Sequence, residues 1–117
     1  MTDEQKQFFS NVNEAWELLK PHVKEPELYK KVLNDFYKMF FERNSHKFTD
    51  KWWKATIDEF FGYSESYYKK PLYDFVGDLA MGILNFWEHQ YKLNDNSYNI
   101  LYKDIEGAFT SERDRIA

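Results

Sequence analysis

A chain of 117 residues, 43% hydrophobic and 31% charged, is long enough to close one continuous core and too apolar to remain disordered. Only 4 glycines and 3 prolines, no cysteine and a formal charge of −4 argue against a turn-rich sandwich or barrel, a disulfide framework, thiol catalysis, Cys-ligated zinc and a basic nucleic-acid face. Phe, Tyr and Trp make up 21% of the residues, so rings must build most of the interior.

The opening residues MTDEQKQFFS lack the basic region and apolar run of a secretory signal, and no apolar stretch reaches the roughly 18 residues that suggest a membrane span. A soluble cytoplasmic protein, not bound to a membrane, is expected. Thr2 with Gln5 three residues later forms a capping-box pattern, and Asp3 and Glu4 suit the positive end of a helix dipole. Phe8, Val12, Ala15, Trp16 and Leu19 then recur at helical spacing, which predicts a first helix over residues 3–20. Pro21 breaks it, and Pro26 offers a fresh start after the corner KPHVKE.

The run from Pro26 to Asn44 carries Tyr29, Val32, Leu33, Phe36, Met39 and Phe40 on one side and predicts a second helix. Thr49 or Asp50 caps a third, DKWWKATIDEFF, which Gly62 is expected to stop. Its stripe is Trp53, Ile57, Phe60 and Phe61, so Trp52 is expected to face away. There it offers an apolar patch for self-association. YSESYYKK, residues 63–70, carries no stripe and reads as an ordered loop.

Residues 71–91 are the most apolar stretch and are expected to form the central helix, beginning at Pro71. Leu72, Phe75, Val76, Leu79, Ile83, Phe86 and Trp87 face the core, whereas Asp74, Asp78, Asn85 and Glu88 read as an outward acidic strip. Gly77 and Gly82 weaken helix propensity and imply that neighbouring helices approach closely there. After the turn KLNDN, Ser97 caps a last helix with Tyr98, Leu101, Ile105 and Phe109 in line, the alternative being a short strand over part of 97–109. Residues 110–117 read as a polar tail that frays. The fold class is all-α: a single-domain irregular bundle of about five helices over residues 1–117 with an aromatic-rich core.

Chemistry-bearing patterns are thin. His22, His46 and His89 have no metal-ligand spacing, and GYSES, residues 62–66, matches only part of a nucleophile elbow and follows a helix rather than a strand. The four glycines are isolated, so there is no phosphate loop. Asp74 with Asp78, and Asp58 with Glu59, are neighbouring carboxylates without the opposed, partly buried arrangement that acid–base work needs. LYKKVLNDFYKMFF bears a passing likeness to the early helices of truncated globins. The histidine that such a haem pocket requires on a later helix has one candidate, His89, at the end of the most buried helix, and the likeness is not carried to haem. No catalytic, metal or cofactor site is assigned.

The remaining candidate is an acidic, tyrosine-rich ridge. Tyr63, Tyr67 and Tyr68 in the loop supply contact area, and Asp58, Glu59, Glu65, Asp74 and Asp78 supply negative charge beside them. This pattern suits a binding module that neutralises or occludes a basic protein, such as a nuclease or other toxin, in the manner of an immunity protein, antitoxin or phage-encoded inhibitor. The plain alternative is a solvated bundle surface. A different class of reading is a small-molecule pocket among Trp16, Trp52, Trp53, Phe86 and Trp87.

Overall fold

In a computed structural model of the protein, the described residues are 1–44, 48–91 and 104–117. They form five α-helices and no strand: α1 (Asp3–Leu19), α2 (Pro26–Asn44), α3 (Asp50–Glu65), α4 (Tyr73–Tyr91) and α5 (Ile105–Ile116). The all-α bundle with an aromatic core is therefore observed. A single 3₁₀ turn, Lys20–His22, carries Pro21 and makes the corner after α1.

The N-terminus of α1 is closed as its residues dictate. Thr2 Oγ1 accepts from the Gln5 N–H at 3.2 Å, and the Gln5 side chain accepts from the Thr2 N–H at 3.0 Å, the reciprocal capping box. Gln5 is also buried, and the two hydrogens of its amide nitrogen are shared among Asn44 of α2 at 2.8 Å and Gln90 and Tyr91 of α4, each at 3.0 Å. One side chain thus caps a helix and ties three helix ends together. Thr49 caps α3 by accepting from the Trp52 N–H, and Asp104 caps α5 by accepting from the Gly107 N–H.

α4 is the axis of the bundle. Ten of its residues are buried, and every other helix places a ring or a side chain against it. Phe8 of α1 stacks on Phe86 at 4.3 Å between ring centroids. Phe40 of α2 lies on Trp87 at 4.2 Å with the two planes 3° apart, and Phe60 of α3 meets the same indole edge-on at 5.5 Å. Phe109 of α5 meets Phe75 edge-on at 5.4 Å. Backbones approach most closely between α4 and α5, α3 and α4, and α1 and α5, whereas α2 is held mainly through its large rings. The Trp87 indole N–H, in the middle of this cluster, has no hydrogen-bond partner among the described residues. Leaving such a donor unmet costs about 1–3 kcal/mol, which the surrounding burial must offset.

The two glycines of α4 mark close approaches. A Cβ on Gly77 would stand 3.4 Å from Ser64 Oγ on α3, and one on Gly82 would stand 3.3 Å from the Ile105 side chain and 3.5 Å from its Cα on α5. At Gly82 a larger side chain would press on the α5 backbone, whereas at Gly77 a methyl would meet only the Ser64 hydroxyl at contact distance.

Several expectations are corrected. Gly62 does not stop α3, which runs to Glu65 with Gly62 in ordinary helical geometry; the stop comes at Ser66 and the turns after it. Trp52 does not face outward: it is 6% exposed, and its indole N–H donates to the Arg43 carbonyl at 2.9 Å, so it offers no exposed patch. Pro71 lies in a turn two residues before α4. Residues 110–116, expected to fray, are helical, with Glu112 buried. Ser97, Tyr98 and Leu101, with the choice of helix or strand there, lie outside the described residues, as does His46.

Candidate functional site

The turn between α3 and α4, residues 66–72, holds the positive-φ residues found among the described part of the chain. Lys69 and Leu72 both adopt left-handed conformations, with φ of 61° and 73°. For residues other than glycine each costs about 1–2 kcal/mol. Leu72 holds its place because its side chain packs against the core. Such strain persists only where surrounding contacts enforce it, and it concentrates at functional segments.

Tyr68 stands at this turn with 58% of its surface exposed. Its ring meets Tyr73 edge-on at 5.6 Å, and the Tyr73 hydroxyl donates to Glu65 at 2.9 Å. That bond, more than burial, raises the Tyr73 pKa, since an ionised phenolate would face a carboxylate. Lys69 Nζ lies 5.5 Å from the Tyr68 ring centroid. Glu65 and Asp74 are exposed on either side of Tyr73 in the sequence, and Asp58 is exposed two turns back along α3. An exposed aromatic ring is thus braced by Tyr73 and Glu65, with Lys69 over its face.

The structure divides the remaining ridge residues. Tyr63 is half-buried: its ring packs on Phe36 at 5.0 Å and on Tyr67 at 5.5 Å, and its hydroxyl donates to Asp35 at 2.7 Å. Burial pushes its hydroxyl pKa up strongly, and the Tyr67 and Asp35 contacts add to that. It is a strut between α2 and α3, and Tyr67 leans on it. Glu59 pairs with Arg43 of α2, accepting from Nε at 2.6 Å, so its charge is partly answered within the molecule.

Asp78 departs furthest from expectation. It is 7% exposed, and its carboxylate accepts from Arg115 of α5 at 3.1 Å. Arg115 also donates from Nε to Glu112 at 2.9 Å, while Glu112 accepts from the Tyr29 hydroxyl of α2 at 2.6 Å. The four residues form one polar chain linking α2, α4 and α5, buried at Tyr29, Asp78 and Glu112 and reaching the surface at Arg115. Burial works against the charge on Arg115, but the two carboxylates outweigh it and raise its pKa. Asn85, read with Asp78 as part of the outward strip, is buried as well. The acidic strip on α4 is therefore an internal seam at these positions, and Asp78 is not available to a partner. The signal that reveals it, Glu112 with Arg115 three residues on, lies in the segment that reads as a loose tail.

The Trp16, Trp52, Trp53, Phe86 and Trp87 rings pack against one another and their neighbours. Trp52 meets Trp87 edge-on at 5.3 Å, Trp52 stacks on Trp53 at 6.2 Å, and Trp16 stacks on Tyr29 at 5.8 Å. The hollow between α1 and α2 is lined by other residues. Among the described residues no group of three or more His, Asp or Glu side chains is arranged to hold a metal ion. None of the helices is long and apolar enough to cross a membrane.

No comparison supplies a relative. No protein-family model matches the chain, no curated protein matches its sequence and no solved structure matches its fold.

Proposed function

We propose that the protein is a non-enzymatic binding module that occludes a basic protein partner, docking it on the turn at residues 66–72 with Tyr68 as anchor. The observation that carries this reading is the exposure of Tyr68 on a strained turn, its ring braced by Tyr73 and Glu65. A tyrosine already held in place gives large contact area with little ordering cost on binding. The exposed Glu65, Asp74 and Asp58 on the flanking helices supply charge suited to Lys and Arg side chains, offset in part by Lys69 and Lys70 on the turn, and the formal charge of −4 favours a basic partner over long range. Tyr67 extends the apolar part of the contact. Glu59 contributes less because Arg43 already answers it, and Asp78 acts from inside as a support. A cytoplasmic setting and a toxin-like enzyme as partner belong to the same proposal.

The test is affinity capture from the native host, followed by binding measurements on the purified partner at low and high salt. Tyr68→Ala should weaken binding by tenfold or more, as for a central aromatic anchor. Glu65→Gln with Asp74→Asn should weaken it at low salt and flatten the salt dependence. Unchanged affinity and an unchanged salt response in both variants would overturn the proposal.

A further inference from the structure

α1 and α2 run side by side and are bridged by rings at two places only among the ring contacts described. Phe9 meets Tyr37 edge-on at 5.1 Å and Phe40 at 4.8 Å, and two turns along α1 Trp16 stacks on Tyr29 at 5.8 Å. The pairing is antiparallel, so the residues between the bridges, Val12 and Asn13 on α1, face Leu33 and Asn34 on α2. These side chains are smaller than the rings on either side of them. Ring pairs act as pillars that set the helix spacing, and the shorter residues between them cannot fill the width.

The result is a slot of about 360 Å³, within the range of about 300–1,000 Å³ usual for small-ligand sites. Its floor is made by buried core residues of two further helices, Leu79 and Ile83 of α4 and Ile105 of α5. The exposed amides of Asn13 and Asn34 and the exposed Tyr37 hydroxyl stand at its mouth. Among the described residues no Asp, Glu, Lys, Arg or His lines it.

We propose that this slot binds a small neutral molecule with an apolar, ring-like or branched body and one hydrogen-bonding end. The body would lie against Phe9, Leu33 and Tyr37, above the buried Leu79, Ile83 and Ile105, and the polar end would meet the two amides. A charged ligand is disfavoured because the described lining offers no countercharge and a buried ion without one is costly. The amides each carry donor and acceptor atoms, so an alcohol, a phenol or an N–H is equally well received. This site lies on the α1 and α2 face, apart from Tyr68, and does not depend on the docking proposal.

Indole, which has a neutral ring body and a single N–H, is the probe. Five methyl-bearing residues line the slot, Val12, Leu33, Leu79, Ile83 and Ile105, so a methyl-labelled sample titrated with indole reports occupancy directly by NMR. Saturable shifts concentrated on these methyls are expected. Asn13→Trp, at an exposed position where the fold is not strained, should block the mouth and weaken indole binding at least tenfold. Leu33→Phe should do the same by filling the slot, with circular dichroism confirming helicity. Absence of saturable shifts, equal shifts at the exposed Leu18, Leu28 and Ile116 methyls, or undiminished binding in Asn13→Trp would overturn the proposal.

Discussion

The Asp78 carboxylate on α4 accepts a hydrogen bond from the Arg115 guanidinium on α5 at 3.1 Å, with the aspartate almost wholly buried. This bond joins the axis of the bundle to its last helix. Arg115 also reaches Glu112, so one cation answers two buried carboxylates. Arg115→Ala removes that shared cation while Glu112 keeps the Tyr29 hydroxyl, and because the guanidinium is a third exposed it should lower stability by about 1–2 kcal/mol. Chemical denaturation measures it. The double change Asp78→Ala with Arg115→Ala should cost less than the sum of the single changes, because the two residues share one interaction.

Tyr29 gives the network a pH limit. Burial, and after it the hydrogen bond to Glu112, raises its pKa far above the ordinary tyrosine value. A raised folded-state pKa contributes stability that is complete below the unfolded pKa of about 10 and is lost as pH rises from there toward the folded value. Stability should therefore be level through neutral pH and fall above about 10, and tyrosine absorbance should show the buried hydroxyls ionising together with unfolding. Tyr29→Phe should lose about 1–2 kcal/mol at neutral pH through the unmet Glu112 acceptor, and its alkaline decline should be shallower.

Asp35 sets a weaker acid limit. Burial raises its pKa, but the hydrogen bonds from Tyr63 and Lys31, with the Lys31 and Lys38 charges, outweigh it, and the net shift is downward. A lowered folded-state pKa contributes stability present above the unfolded value of about 4 and lost as pH falls below it. Melting temperature against pH should thus decline below about 4, and Asp35→Asn should flatten part of that decline. The effect is small because Asp35 is over a third exposed in its side chain.

The glycines separate by their surroundings. Gly62 has helical backbone and open space where a Cβ would go, so Gly62→Ala should stabilise by about 0.5–1 kcal/mol. Gly82 faces the Ile105 backbone, and Gly82→Leu should destabilise by about 1–3 kcal/mol through overpacking. Thermal unfolding of both variants distinguishes the two environments.

The parts of the fold legible in the sequence are those governed by local pattern. The Thr2 and Gln5 capping box, the start of α2 at Pro26 and the apolar stripe of α4 depend on neighbours within one or two turns; the first two stand as read, and the stripe stands from Phe75 onward, Leu72 lying in the turn before α4. The close approaches at Gly77 and Gly82 were readable for the same reason, since glycine in a core helix has few other uses. Long-range partners were not readable. Asp78 looks exposed until Arg115 is placed beside it 37 residues away, and residues 110–116 look frayed until Glu112 meets Tyr29 across 83. Trp52 is hidden by its bond to the end of α2. At the candidate site the turn with Tyr67 and Tyr68 was visible, but Tyr63 to Glu65, read as loop, continue α3, and Lys69 and Leu72 carry no glycine to announce left-handed backbone.

Hydrogen exchange of the protein alone and with its captured partner tests the account most directly, because it reads the buried axis and the docking turn in one experiment. The account predicts that α4 from Phe75 to Trp87 exchanges most slowly in both states and that partner binding adds protection across residues 65–74. Rapid exchange in α4, or new protection that spares residues 65–74, would contradict it.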